Sequence, residues 1–152
     1  MKRFGTLLLA GCAALLGACS SESSSYLIDG GDTALTLLRD KPYLWSGSWE
    51  MALVVTHLPE CQRRHKLKSA GDGNFKLEVY RPPEGGYILH HGKRWYVAEL
   101  RGCQLQMYAE PPSEPGELIG AFEARDEPVR FVADAATAKQ PLGGGTGNGS
   151  AR

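Results

Sequence analysis

The chain reads as a mainly β domain: a small antiparallel meander forming a sandwich or open barrel, with one short helix and one disulfide. Three observations lead there. Apolar residues recur at spacing two through much of residues 49–108. The segments that carry this period are joined by short Gly- or Pro-bearing connections of the kind hairpins use. No long amphipathic helical stretch and no internal repeat interrupts them.

Taken in chain order, Thr33-Ala34-Leu35-Thr36-Leu37-Leu38 fits either a strand or one or two helical turns with Asp32 as the N-cap. Trp49, Met51, Leu53 and Val55 follow at spacing two, and Met51 to Thr56 is apolar and β-branched enough for a central strand. The segment from Pro59 to Lys68 is the place for the one short helix. Phe75, Leu77 and Val79 alternate with Lys76, Glu78 and Tyr80, as in a strand buried on one face. Pro82-Pro83-Glu84-Gly85-Gly86 forms a loop, Tyr87-Ile88-Leu89-His90 begins the next strand, and Gly92 supplies the positive φ of a tight turn. Arg94 to Leu100 is its partner; Arg101-Gly102 turns again, and Cys103-Gln104-Leu105-Gln106-Met107-Tyr108 alternates once more. After the break Pro111-Pro112-Ser113-Glu114-Pro115-Gly116, Glu117 to Ala124 and Pro128 to Val132 make a last, weaker pair.

The termini have a different character. Met1-Lys2-Arg3 precedes an apolar run from Phe4 to Leu16, the length of a signal-peptide core and too short for a helix to cross a bilayer of about 30 Å. Two boxes end this region, Leu9-Ala10-Gly11-Cys12 and Leu16-Gly17-Ala18-Cys19. Processing at Cys12 would shorten the apolar core to Phe4 to Leu9 and leave Ala13-Ala14-Leu15-Leu16 on the mature chain. Processing at Cys19 keeps a full core and exposes Ser20-Ser21-Glu22-Ser23-Ser24-Ser25, a polar stretch suited to a flexible tether. At the other end, Gln140 to Arg152 is rich in Gly and has almost nothing to bury, which predicts disorder. The expected organisation is a signal peptide at 1–18, a lipidated Ser-rich tether at 19–25, a globular β domain at 26–133 and a disordered tail at 134–152.

The n-region, the apolar run and Leu16-Gly17-Ala18-Cys19 resemble the type II signal of bacterial lipoproteins. The resemblance covers about the first twenty residues; beyond them the chain is similar only to small uncharacterised proteobacterial lipoproteins, with no named family motif. It implies a diacylglycerol thioether on Cys19, usually with a third acyl chain such as palmitate on the amine, and two or more chains make anchoring stable. In enteric lipoproteins an Asp after the anchor cysteine favours the inner membrane; here Ser20 follows, which points to the outer membrane, facing the periplasm.

That compartment decides how the other cysteines are read. With Cys12 discarded and Cys19 lipidated, Cys61 and Cys103 remain as an even pair where disulfides persist. Their competitor is a metal or hydrolytic site built from His57, His65, His90 and His91, since neutral imidazoles bind zinc or copper. Pro59 breaks the helical spacing from His57 to Cys61, and no Cys-x-x-Cys or Gly-x-Ser-x-Gly motif supports redox or hydrolytic chemistry. The sequence therefore calls for no cofactor, no metal and no enzyme.

Removing residues 1–18 leaves 15 basic and 17 acidic residues, a net charge of −2, which excludes nucleic acid as a general partner. A local basic run stands out, Arg63-Arg64-His65-Lys66-Leu67-Lys68. Arg63, Arg64, Lys66 and Lys68 are the candidate anionic-ligand residues, for a polyanionic glycan, a lipid or an envelope protein, although a short basic run more often is a solvated face. Tyr43, Trp45 and Trp49 could form a stacking platform, but burial in the core is the expected fate of such aromatics. The sequence-level function is thus a non-catalytic envelope accessory or binding module, anchored to the membrane by lipid.

Overall fold

The computed structural model describes residues 20–43, 45, 47–68, 74–125 and 128–137. Ten strands run in chain order: β1 (Ser20–Ile28), β2 (Thr33–Lys41), β3 (Glu50–His57), β4 (Cys61–Leu67), β5 (Phe75–Arg81), β6 (Tyr87–His91), β7 (Arg94–Glu99), β8 (Gln104–Met107), β9 (Glu117–Ala124) and β10 (Arg130–Ala133). They form two antiparallel sheets, β1-β2-β3-β4 and β10-β9-β5-β6-β7-β8. The expected β architecture is present as a two-sheet sandwich rather than a closed barrel.

The first sheet is a simple meander. Its inward rows are Tyr26–Leu35–Val55–Arg63, Ser24–Leu37–Leu53–His65 and Glu22–Arg39–Met51–Leu67. In the second sheet β5 to β8 also follow one another, but β9 returns over the long connection 108–116 and pairs with β5. That return buries Ile119, Ala121, Phe122 and Ala124, so β9 belongs to the core rather than to a weak appendage. Gly120 permits the close approach of β10. A Cβ there would press into the Val132 carbonyl oxygen and lie 2.8 Å from Phe131 Cζ. The core between the sheets is built from Leu35, Leu37, Leu53, Val55, Leu77, Val79, Leu89 and Phe122, all essentially without solvent contact.

Three expectations need correction. The segment from Pro59 to Lys68 holds no helix: Cys61–Leu67 is strand β4, and among the described residues the helical element is the three-residue 3-10 turn Asp29–Gly31. The charged run Gln62 to Lys66 is tolerated in a strand because β4 is an edge strand, where charge also discourages pairing with another chain. Second, the proposed tether is structured from Ser20 onward, as β1. Serine has little strand preference of its own, but β2 offers it a partner in register along its whole length, apolar or threonine from Thr33 to Leu38 and charged from Arg39 to Lys41. Ser21 Oγ donates to Asp40 Oδ1 at 2.6 Å, and Ser25 Oγ lies 2.8 Å from Thr36 Oγ1. Third, residues 134–137, assigned to the tail, are tied to the sandwich: Asp134 N donates to the Ile119 carbonyl at 2.8 Å and Thr137 Oγ1 to that of Leu118 at 3.0 Å. Residues 1–19 and 138–152, including both boxes and most of the Gly-rich tail, lie outside the described residues.

One buried charge holds β1 in place. Arg39 is only 4% exposed, on the inward face of β2. Its guanidinium meets Glu22 Oε2 at 3.4 Å and lies over the Trp49 ring at 4.3 Å. Burial lowers its pKa, against the opposing attraction of Glu22. The same Glu22 oxygen accepts the Val129 N–H at 3.1 Å, linking β1 to the residue just before β10.

Candidate functional site

The β4–β8 flank is where the candidate basic residues lie. Period two divides the run between the faces: Arg63, His65 and Leu67 pair with Val55, Leu53 and Met51 on the inward side, while Arg64 and Lys66 pair with Val54 and Ala52 on the outward side. Arg63 is thus separated from Arg64 and Lys66, and the four cations do not form one cluster. Arg64, Lys66 and Lys68 instead rim a groove of about 380 Å³ between the edges of β4 and β8. Its other walls are His65, Tyr96, Leu105 and Met107. Arg64 is paired with Asp40 at 3.0 Å, an exposed contact.

The two ends of this groove are fixed covalently and by hydrogen bonds. Cys61, at the start of β4, is joined to Cys103, before β8, by a disulfide with a Cα–Cα distance of 6.0 Å. The turn that presents Cys103 is held by the Glu99 carboxylate, which accepts the N–H groups of Arg101 and Gly102 at 2.7 Å each. His65 Nε2 donates to the Cys103 carbonyl at 2.7 Å, and Arg94 donates to the Lys68 carbonyl at 3.4 Å. The groove therefore has a basic rim, an apolar wall and pinned ends. Sequence reasoning found the rim but not Tyr96, Leu105 and Met107. The spacing-two pair Leu105 and Met107 in β8, the last strand of the meander, was the available signal, because such a strand borders an edge.

The four histidines occupy four separate neighbourhoods. His57 Nδ1 is 2.9 Å from Thr33 Oγ1, His65 binds the Cys103 carbonyl, and His91 donates to the Lys76 carbonyl at 2.8 Å. His90 lies on the outer face of the second sheet, with Nδ1 at 3.0 Å from Glu78 and Nε2 at 2.8 Å from the Gly92 carbonyl. Among the described residues no three His, Cys, Asp or Glu side chains gather as a metal site would require. The set His57, His65, His90 and His91 is not one site.

His90 belongs to a surface network the sequence did not single out. Glu78 accepts from Tyr80 at 2.9 Å as well as from His90 and meets Lys76 Nζ at 3.2 Å; His90 stacks on Trp95 with centroids 3.9 Å apart. Burial pushes the Glu78 carboxyl up, but the hydrogen bonds from His90, Tyr80 and Lys76 and the Lys76 charge outweigh it and hold the pKa below the usual value. Desolvation and Glu78 together push the Tyr80 phenol up to about 12. Glu78 thus stays ionised and Tyr80 protonated near neutrality, a pairing that cements cross-strand contacts. A depressed carboxylate pKa contributes stability above the unfolded value, about 4.3 for Glu, and loses it as pH falls through the folded value. Glu78→Gln is therefore expected to lower the urea midpoint at pH 7 by the equivalent of about 1–2 kcal/mol and to flatten the acid limb of the midpoint-versus-pH curve.

The aromatics predicted for the core divide. Trp49 is half-buried beneath Arg39, but Tyr43 and Trp45 are 57% and 82% exposed and stack on each other with centroids 5.5 Å apart. At the opposite end of the sandwich a wider depression of about 570 Å³ lies among His57, Glu84, Gly85, Gly86, Glu99, Leu100 and Arg101. Its walls are turn backbone with charges of both signs, and Glu99 is occupied in capping its turn. Among the described residues no helix is long and apolar enough to cross a membrane. Comparison with known proteins returned no matching family model, no matching curated sequence and no matching solved structure.

Proposed function

We propose that this chain is a lipid-anchored, periplasm-facing envelope lipoprotein whose sandwich is a non-catalytic binding module for an anionic ligand with an apolar portion. The groove between β4 and β8 carries this reading. Arg64, Lys66 and Lys68 offer positive charge at its rim, while Tyr96, Leu105 and Met107 offer an apolar wall beside it. A volume of about 380 Å³ is within the range of small-ligand sites. Charge complementarity would orient the anionic head and the apolar wall would hold the tail.

The anchor reading is supported by the start of the fold. Processing at Cys19 would release a chain whose next residue, Ser20, already belongs to β1. Processing at Cys12 would leave an apolar segment ahead of the sheet.

Titration with dodecyl phosphate and, in parallel, with neutral dodecyl maltoside tests the binding module. Dodecyl phosphate is expected to bind more tightly, and Lys66→Gln with Lys68→Gln to weaken it by about tenfold or more, at roughly 1 kcal/mol per charge. Equal affinity for the two amphiphiles, or no effect of the double variant, would remove the groove from consideration.

A further inference from the structure

Tyr43 and Trp45 have no role in the groove or the core, yet their position in the fold is specific. Ser20, at the start of β1, pairs with Lys41, at the end of β2. Tyr43 and Trp45 come two and four residues after Lys41, so Trp45 is at most about 14 Å of chain from that pair. Cys19 is the residue before Ser20, about 3.8 Å away between Cα atoms. Acyl chains on Cys19 would therefore begin one residue from the end where the two exposed rings stand.

Charge differs between the two ends. Among the described residues, Lys41, Lys68, Lys93, Arg125 and Arg130 lie toward the Ser20 end, set against Asp40, Glu50 and Glu123. The far end gathers exposed Asp29, Asp32, Glu60, Glu84 and Glu99, set against Arg81 and Arg101. Tyr and Trp are favoured at headgroup depth, where an apolar ring and a polar atom are both satisfied, and lysines are drawn to anionic lipid.

We infer that the end bearing Ser20, Lys41, Tyr43 and Trp45 rests on the bilayer that holds the anchor, with the stacked rings in the headgroup layer. This rests on the lipid-anchor reading of Cys19. It makes the domain a rigid body seated on the membrane by two contacts, and it turns the acidic end away from the anionic surface.

The test uses mature protein in vesicles of phosphatidylethanolamine and phosphatidylglycerol doped with brominated phospholipid, which quenches only nearby tryptophans. Intact mass first reports whether Cys19 is acylated, so failure of the anchor reading is seen separately. In the acylated protein, Trp45 emission is expected to be quenched about twofold, with the quenching lost in Trp45→Phe, where Trp49 and Trp95 remain, and reduced in Lys41→Gln. Unquenched Trp45 in acylated protein overturns the inference. Emission that instead shifts to the blue with protein concentration assigns the rings to a second copy and also overturns it. If Cys19 carries no lipid, the same protein is added to preformed vesicles: quenching retains the docking surface without the anchor, and its absence removes both.

Discussion

Glu22→Ala is expected to lower the unfolding free energy by about 3–5 kcal/mol, a large share of what a domain of this size possesses. The mutation leaves Arg39 buried and charged without its carboxylate. Arg39 cannot escape by deprotonation, since even with its lowered pKa a guanidinium remains charged near neutrality. The Val129 N–H loses its acceptor in the same step, which loosens the edge between β1 and β10. A flexible tether would predict the opposite, because substitutions in such a segment usually move stability by less than about 0.5 kcal/mol. Urea denaturation followed by tryptophan fluorescence distinguishes the two. A double variant, Glu22→Leu with Arg39→Met, adds a control: replacing a buried ion pair with apolar side chains is often neutral or stabilising, so it should recover much of the loss.

The second large effect is at the disulfide. Cys61 and Cys103 are 42 residues apart, and in the chain-entropy model closing such a loop contributes on the order of 4 kcal/mol. Cys61→Ala with Cys103→Ala should lower stability by about that amount. Alanine is the appropriate replacement because Cys103 is fully buried and a serine hydroxyl there would add a desolvation cost of its own. Reducing agent applied to the wild-type domain should produce the same shift without any mutation, and a reduced domain of unchanged stability would contradict the account. The groove should suffer too, since the bridge fixes the end of β4 against the start of β8.

The strands that alternate were readable because their period is a direct consequence of one buried face: Phe75-Leu77-Val79 and Met51-Leu53-Val55 show it without help from partners. β1 and β4 were not readable, for related reasons. Both are edge strands of the first sheet, and an edge strand can be rich in serine or in charge because part of its surface faces water and its backbone is organised by one neighbour. The signal in β1 was the carboxylate: Glu22 amid serines is unremarkable until Arg39, 17 residues later, is known to be buried across from it. The disulfide was legible from cysteine parity together with the compartment that the signal-like start of the chain implies. The groove was only half legible, since Lys66 and Lys68 stand out in the run but Tyr96, Leu105 and Met107 reach them across two sheets, a relation that no local pattern contains. Tyr43 and Trp45 were expected in the core because aromatic residues are usually buried, and composition does not show that their rings stack on each other at the surface.

Intact mass spectrometry of the protein extracted from membranes decides whether the sandwich has the proposed lipid anchor at Cys19. The expected product is a mature chain that begins at Cys19, carries a diacylglyceryl group and contains one disulfide. A chain that begins at Cys12, or one that retains Met1 and carries no lipid, would contradict it.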